Sequence, residues 1–317
     1  MTSLGTPKVA IAIVSWNTRE LLRSCLDSMA AAFDSGIAEV WVVDNASADG
    51  SPDMVERDFP WVRLLRQSGN PGFGAAVNEV AAHTRTPWFA PSNADVELTP
   101  GALEALLEAG EVDGRTAVIA PRLKLADGST QHSVHSFPSL RLALAHNLGL
   151  GHIAPRLGDR LCLDGFWNPD RARAVDWAHG AFLLIRRDAF DAIGGFDRRQ
   201  WMYAEDLDIA WRVDRAGWTT WYEPAAVVRH RVSAAATQAF GEDRLERHVA
   251  ASYAWMARRR GLTAARTYAA VNVAGCVIRW LAFSPLARVR PGRWGAASAR
   301  SRRYAATHAR ALRSSAS

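Results

Sequence analysis

The first hundred residues alternate short, continuously apolar runs with segments whose apolar residues recur at helical spacing, and few architectures accept that order. Residues 9–14 form the first run. Residues 18–32 carry a helical stripe of Leu21, Leu22, Cys25, Leu26 and Met29. An apolar run at 38–43 ends in a turn-rich stretch at 44–51, and a helix starts near Pro52. A strand at 62–65, a helix at 74–83 and a strand at 88–90 continue the series. Strands joined by crossover helices predict an α/β fold with a mainly parallel sheet, whose ligands gather beyond the carboxyl ends of the strands.

The second half is less regular. Residues 117–121 and 175–185 read as strands, 188–193 as a helical turn, 205–216 as a helix closed by Gly217, and 218–228 as a final strand. Residues 126–169 are rich in Gly, Pro and His and show no period, and the chain has no internal repeat. Cys25, Cys162 and Cys276 are odd in number and far apart, which predicts isolated thiols rather than a disulfide framework or a zinc site. The apolar run at 9–14 is too short and too soon followed by polar residues for a secretory leader, so a cytoplasmic location is expected.

The net charge of +6 hides a division. Of 38 Lys and Arg, 14 lie beyond Glu246, all of them Arg, leaving 24 against all 32 acidic residues in 1–246, a net −8. An acidic body followed by an arginine-only tail predicts two different tasks. The organisation read from this is a catalytic domain at 1–240, with a nucleotide-binding half at about 1–100 and an acceptor half at about 101–240, and a basic helical extension at 241–317.

Several polar clusters fall where strands end. Asp44 and Asn45, backed by Ser47, could present a carboxylate to the imide N–H of uracil or thymine, although Asp, Asn and Ser also cap ordinary turns. Residues 70–78, NPGFGAAVN, bring Asn70, Gly72, Phe73 and Asn78 to the start of a helix, where backbone N–H groups approach phosphate; such turns also serve plain packing. Asn93 and Asp95 are an oxygen-ligand pair suited to Mg²⁺ or Mn²⁺ when a diphosphate supplies the remaining oxygens, or a polar loop before the next helix. Glu205, Asp206 and Asp208 open a helix, which the helix dipole favours on structural grounds alone. The apolar Trp201, Met202 and Tyr203 just before them predict a raised carboxylate pKa suited to general-base work, with one acid facing the acceptor and another supporting the scaffold through Arg212. His230, between two arginines after the last strand, could complete a metal shell, touch a diphosphate or be merely structural.

In order, the pieces IVSWN at 13–17, VVDNASADGS at 42–51, NPGFGAAVN at 70–78, Asn93-Ala94-Asp95, GAFLLIRR at 180–187, GGFD at 194–197, YAED at 203–206 and AGW at 216–218 resemble the family 2 glycosyltransferases, in particular their rhamnosyltransferase-like branch. The resemblance spans most of residues 9–233. It implies a GT-A fold, a nucleotide-sugar site that includes Ser15, Asn17, Asp44, Asn45 and Gly180, a metal–diphosphate site around Asp95, and Asp206 as the base of an inverting displacement. The chain departs from the branch at Asn93 and Ala94, where Asp and Pro are common.

The expected partners are a nucleotide-diphosphate sugar, with dTDP-L-rhamnose the branch's commonest association, and a saccharide or lipid-linked saccharide acceptor. A nucleotidyltransferase or a non-catalytic nucleotide-sugar-binding protein are the competing readings. In the tail, a helix is expected at 245–260 with Leu245, Val249, Ala250, Tyr253 and Met256 on one side. The apolar stretch 268–283, interrupted by Asn272 and Arg279, falls short of the roughly 20 residues that cross a bilayer. A basic appendage attracted to an anionic membrane surface and a solvated helix packed on the acidic body are both consistent with it. Nucleic acid is not expected as a partner, since no aromatic-interleaved basic motif is present.

Overall fold

The computed structural model describes residues 6–231 and 244–314. The strands are β1 (Val9–Ser15), β2 (Ala38–Asp44), β3 (Arg63–Arg66), β4 (Trp88–Asn93), β5 (Val96–Leu98), β6 (Thr116–Lys124), β7 (Val134–His135), β8 (Arg173–Val175), β9 (Trp177–Ala178), β10 (Leu184–Arg186) and β11 (Thr219–His230). The helices of the first half are α1 (Arg19–Asp34), α2 (Ser51–Asp58), α3 (Phe73–His83) and α4 (Ala102–Val112). They are followed by α5 (Leu140–Asn147), α6 (Leu150–Ile153), α7 (Pro155–Arg160), α8 (Arg187–Ala192) and α9 (Glu205–Arg215), then α10 (Arg244–Arg260), α11 (Leu262–Val289) and α12 (Pro291–Ser314).

The main sheet runs β3-β2-β1-β4-β10-β6-β11-β5, with β8 on β11, and β7 pairs β9 in a separate ribbon. Strands β1 to β4 are mutually parallel, as the alternating pattern predicts, because each returns through a helix. β1 is buried almost throughout, and Leu22, Cys25, Leu26 and Met29 of α1 close the core beneath it. β10 and β5 run antiparallel to their neighbours, so the sheet is mixed beyond β4.

The expected single strand at 175–185 is three pieces, β8, β9 and β10. The run breaks at Gly180 because that residue's N–H is drawn to the Asp206 side chain instead of a neighbouring strand.

The chain forms two compact units, 1–135 with 168–239, and 136–167 with 240–317. The second unit therefore takes in 136–167, from the stretch without periodicity; the boundary expected at 240 lies outside the described residues. Within this unit α10 buries Val249, Tyr253, Trp255 and Met256. Asn147 of α5 donates to Asn272 of α11 at 3.0 Å, and Arg279 donates to the Asn147 carbonyl. The Tyr253 hydroxyl lies 2.6 Å from Nδ1 of His308, whose pKa is pushed down to about 4 by burial and by the charges of Arg279 and His146. Because Asn272 and Arg279 find partners, they do not interrupt the apolar segment, and α11 runs for 28 residues, well beyond 268–283. By length and composition it is long and apolar enough to cross a membrane.

Candidate active site

One rim of the sheet collects the polar clusters. Ser15 ends β1 opposite Asp44 at the end of β2, and Val14 stands opposite Asn93 at the end of β4. The Asn93 N–H donates to Ala181 O at 2.9 Å, and Gly180, one residue earlier, donates to Oδ2 of Asp206 at 3.1 Å. Antiparallel pairing of β5 with β11 sets His230 against Val96, which brings Asp95 and His230 to the same rim. Strand pairing, the Asn93–Ala181 bond and the Gly180 bond to the Asp206 carboxylate thus link Asp44, Asn93 and Asp206.

At the β1–β2 end the loops interlock. The Asn17 N–H donates to Ser47 Oγ, its side-chain oxygen accepts from the Ala48 N–H, and the Ser47 N–H donates to Oδ2 of Asp44 at 2.9 Å. Ser15 is buried and its hydroxyl faces Thr18. Asn45 donates to Oδ1 of Asn70, which also accepts the Gly72 N–H. With Oδ2 so engaged, Oδ1 of Asp44 is buried without a partner, and so is Oδ1 of Asn45. A buried carboxylate oxygen left open costs about 1–3 kcal/mol or more unless something donates to it.

Phe73 packs edge-on against Phe196, and its N–H donates to the Trp201 carbonyl. Asn78 differs from the expectation of a nucleotide contact. Its amide donates to Phe196 O and accepts from Phe196 N, both at 2.9 Å, so both ends are spent clamping the loop before α9. Gly180 likewise serves Asp206 directly: a Cβ there would lie 3.2 Å from that of Asp206, so glycine lets the carboxylate reach the N–H.

Asp95 and His230 meet with Nε2 of the imidazole 3.4 Å from Oδ1 of the carboxylate. Nδ1 of His230 lies 2.8 Å from Oε1 of Gln131, which holds the ring from one side while Nε2 faces Asp95. Oδ1 of Asp95 is buried and has no other partner. An orphaned carboxylate oxygen beside an imidazole nitrogen is a donor set that fits Mn²⁺ or Mg²⁺ with open positions for other oxygens. Among the described residues no group of three or more His, Cys, Asp and Glu gathers into a fuller shell.

The two acids opening α9 have opposite surroundings. Asp206 accepts the N–H groups of Gly180 and Leu207 on its two oxygens and lies 3.6 Å from Nδ1 of His179, too long for a hydrogen bond but close for charges. Burial pushes its pKa up, yet His179 and the two N–H groups outweigh burial and hold it below the usual carboxylate range. Burial, helped by the charge of Asp206, pushes Glu205 up to about 8, and its Oε2 is buried without a partner. The raised carboxylate expected from the apolar neighbours is therefore Glu205, while polar contacts set Asp206 low. Asp208 pairs with Arg212 at 2.7 Å, as its place one turn earlier predicts.

The family model for glycosyl transferase family 2 matches residues 10–162. An N-acetylglucosaminyl-diphospho-decaprenol L-rhamnosyltransferase of Mycobacterium tuberculosis is 33% identical over 265 residues, covering 80% of this chain and 85% of that protein. The chain belongs to the family 2 glycosyltransferases, in their rhamnosyltransferase-like branch. A rhamnosyltransferase of Escherichia coli is 33% identical over 89 residues, 28% of this chain and 33% of its own. A mannosyltransferase of Pyrobaculum calidifontis, solved with GDP-mannose and Mn²⁺, superposes with a TM-score of 0.59 at 18% identity over 96% of this chain and 87% of its own. The GT-A fold is shared with it.

Two residues of the candidate site carry no signal in the sequence. His179 reaches Asp206 only because β9 lies beside α9, and Gln131 reaches His230 from 99 residues away. His179 belongs to a ring cluster, edge-on to His135, which stacks on Trp177 at 4.4 Å.

Proposed function

We propose that this glycosyltransferase transfers L-rhamnose from dTDP-L-rhamnose to a hydroxyl of a lipid-linked saccharide, with inversion, in cell-surface polysaccharide or glycolipid synthesis at the cytoplasmic face of the membrane. The observation that carries the reading is the meeting of Asp44, Asp95 with His230, and Asp206 at one rim. The open Oδ1 of Asp44 suits the imide N–H of thymine, an acceptor matched to a donor that guanine presents differently. In this reading Ser15, Asn17, Asn45, Ser47, Asn70, Gly72 and Asn93 are the residues around the nucleotide sugar, and the bonds among the loops that carry them support it. The M. tuberculosis relative, named for L-rhamnosyl transfer to a diphospho-decaprenol acceptor, supports the sugar and the acceptor class.

Asp206 is the base in this reading. Ionised across the working pH range, it accepts the acceptor's hydroxyl proton as that oxygen bonds to the anomeric carbon and the bond from that carbon to the diphosphate oxygen breaks. The Gly180 and Leu207 N–H groups and His179 fix the carboxylate's direction. Asp95 and His230 would hold a divalent cation, whose chemistry when bound is to neutralise charge on the departing diphosphate.

The test combines a thermal-shift panel of dTDP, UDP and GDP, with and without Mn²⁺, and a transfer assay on a prenyl-diphosphate N-acetylglucosamine acceptor. Selective stabilisation by dTDP and release of dTDP with product are expected. Selective stabilisation by GDP overturns the donor assignment, and release of pyrophosphate from nucleoside triphosphate and sugar phosphate would establish a nucleotidyltransferase instead.

A further inference from the structure

Helix α11 is built inside out. Its buried side holds small and polar residues, Ala265, Ala269, Asn272, Gly275 and Cys276. Its outward side holds the large aliphatics, with Ile278 66%, Leu281 61% and Val289 79% exposed. Positions 274, 278, 281, 282, 285 and 289 follow one another at helical spacing on a single face, all of them exposed and none charged. In water this arrangement costs free energy on both sides, because apolar surface is left wet and polar groups are buried. In contact with lipid the same arrangement is favourable: small residues let helices pack closely, polar side chains bond between helices, and aliphatics face the hydrocarbon.

The rest of the second unit repeats the pattern. α5 buries Ala143 and Ala145 and exposes Leu140 and Leu144, with Leu148 just beyond its end. Of the twelve large hydrophobics exposed among the described residues, ten belong to the second unit. Charge indicates how deep the surface goes. α12 packs along α11 and carries Arg293, Arg300, Arg302, Arg303 and Arg310, which a bilayer centre does not accept. On α11 itself Arg266 and Arg288 stand near the two ends, and Arg279 turns inward to the Asn147 carbonyl. Between 244 and 314 the sole acid is Glu246, which pairs with Arg310.

We infer that the outward stripe of α11 is seated in the hydrocarbon of one leaflet of an anionic bilayer, with the helix lying in the membrane plane and the flanking arginines reaching the headgroup phosphates. The second unit is then a monotopic anchor held mainly by apolar insertion. This goes beyond electrostatic attraction of a basic tail, and it rests on the proposed function only for the benefit of reaching a lipid-linked acceptor.

The experiment is co-flotation of the full chain with vesicles of 70% phosphatidylcholine and 30% phosphatidylglycerol, in 0.1 M and 1 M NaCl. Surface charges are screened within about 3 Å at the higher salt, whereas insertion is not. Wild type is expected to float at both salt concentrations, and Ile278→Asp with Leu281→Asp to lose binding at least tenfold while melting at an unchanged temperature. A gentler Ile278→Ser/Leu281→Ser pair gives the same reading if the charged pair fails to fold. Release of wild type at 1 M NaCl, or variants that float like wild type, overturns the inference. A salt-independent dimer in solution that the variants dissociate, with flotation intact, assigns the stripe to a second copy and overturns it too. The readout involves no sugar transfer, so its failure is separate from any failure of the proposed reaction.

Discussion

Glu205 gives the transferase a pH dependence whose sign follows from its surroundings. Its folded pKa is raised from 4.5 to about 8 by burial and by the neighbouring Asp206 charge. The folded state therefore holds a proton that the unfolded chain releases at lower pH. The stabilisation is complete below the unfolded value near 4.5, declines as pH rises, and is gone once pH passes the folded value near 8. At about 1.4 kcal/mol per pH unit, the rise from 4.5 to about 8 caps the effect at roughly 5 kcal/mol. The side chain is not fully enclosed and titrates jointly with Asp206, so the expected loss is nearer 1–3 kcal/mol, the usual cost of an unsatisfied buried group. Glu205→Gln keeps the shape and stays neutral. Urea unfolding at pH 5 and pH 9 should show nearly equal stability for the two proteins at the lower pH and the variant ahead by about 1–3 kcal/mol at the higher. Every other titrating group is common to both proteins, so the difference isolates the Glu205–Asp206 pair. Identical pH slopes would refute the reasoning.

Four further outcomes are expected. Asp206→Asn should retain dTDP affinity and lower kcat by about 10²–10⁴, and His179→Gln should lower kcat with little change in donor KM and move the acid limb of the pH profile; unchanged turnover in Asp206→Asn removes it from the chemistry. Asp44→Asn replaces a charged acceptor by a neutral one and should weaken dTDP by about 1–2 kcal/mol, five- to thirtyfold by calorimetry, with GDP binding no better than before; equal dTDP affinity would place the base elsewhere. A Cβ at Gly275 would collide with the Asn147 side chain, so Gly275→Ala should destabilise the second unit by about 1–3 kcal/mol, and a melting temperature equal to wild type would show that the α5–α11 contact yields easily.

The parts of the fold that the sequence displays are those set by local pattern. Apolar runs separated by helical stripes announce β1 to β4 and α1 to α3, because each element buries one face against its immediate neighbours in the chain. Asp44, Asp95 and Asp206 are legible for the same reason, since each sits at a local boundary between a strand or helix and a turn. What the pattern does not display depends on partners far along the chain. The strand expected at 175–185 is broken by a bond from Gly180 to a side chain 26 residues away. Asn78 looks like a ligand residue at a helix start, yet it is claimed by Phe196 at a separation of 118. The length of α11 was hidden because Asn272 and Arg279 read as interruptions until Asn147 and Cys276 appear as their partners.

Backbone strain ties these observations together. Five described residues other than glycine have a positive φ, and four of them, Asn17, Ala46, Tyr203 and Ala204, lie in the loops of the rim. Such conformations cost of order 1–3 kcal/mol each and persist only where surrounding contacts over-determine them. The Asn17–Ser47–Asp44 bonds do this for the loops after β1 and β2, and the Asn78 clamp with the Trp201 contacts does it for the loop entering α9. Tyr203 and Ala204, at φ of 64° and 62°, reverse the chain so that α9 begins with Asp206 against the Gly180 N–H. A relaxed backbone at 203 and 204 would start the helix in another direction and carry the carboxylate off its two N–H donors. The orientation of the proposed base is thus tied to the strained backbone of Tyr203 and Ala204, and the Asn78 clamp on Phe196 with the Trp201 contacts maintains that strain.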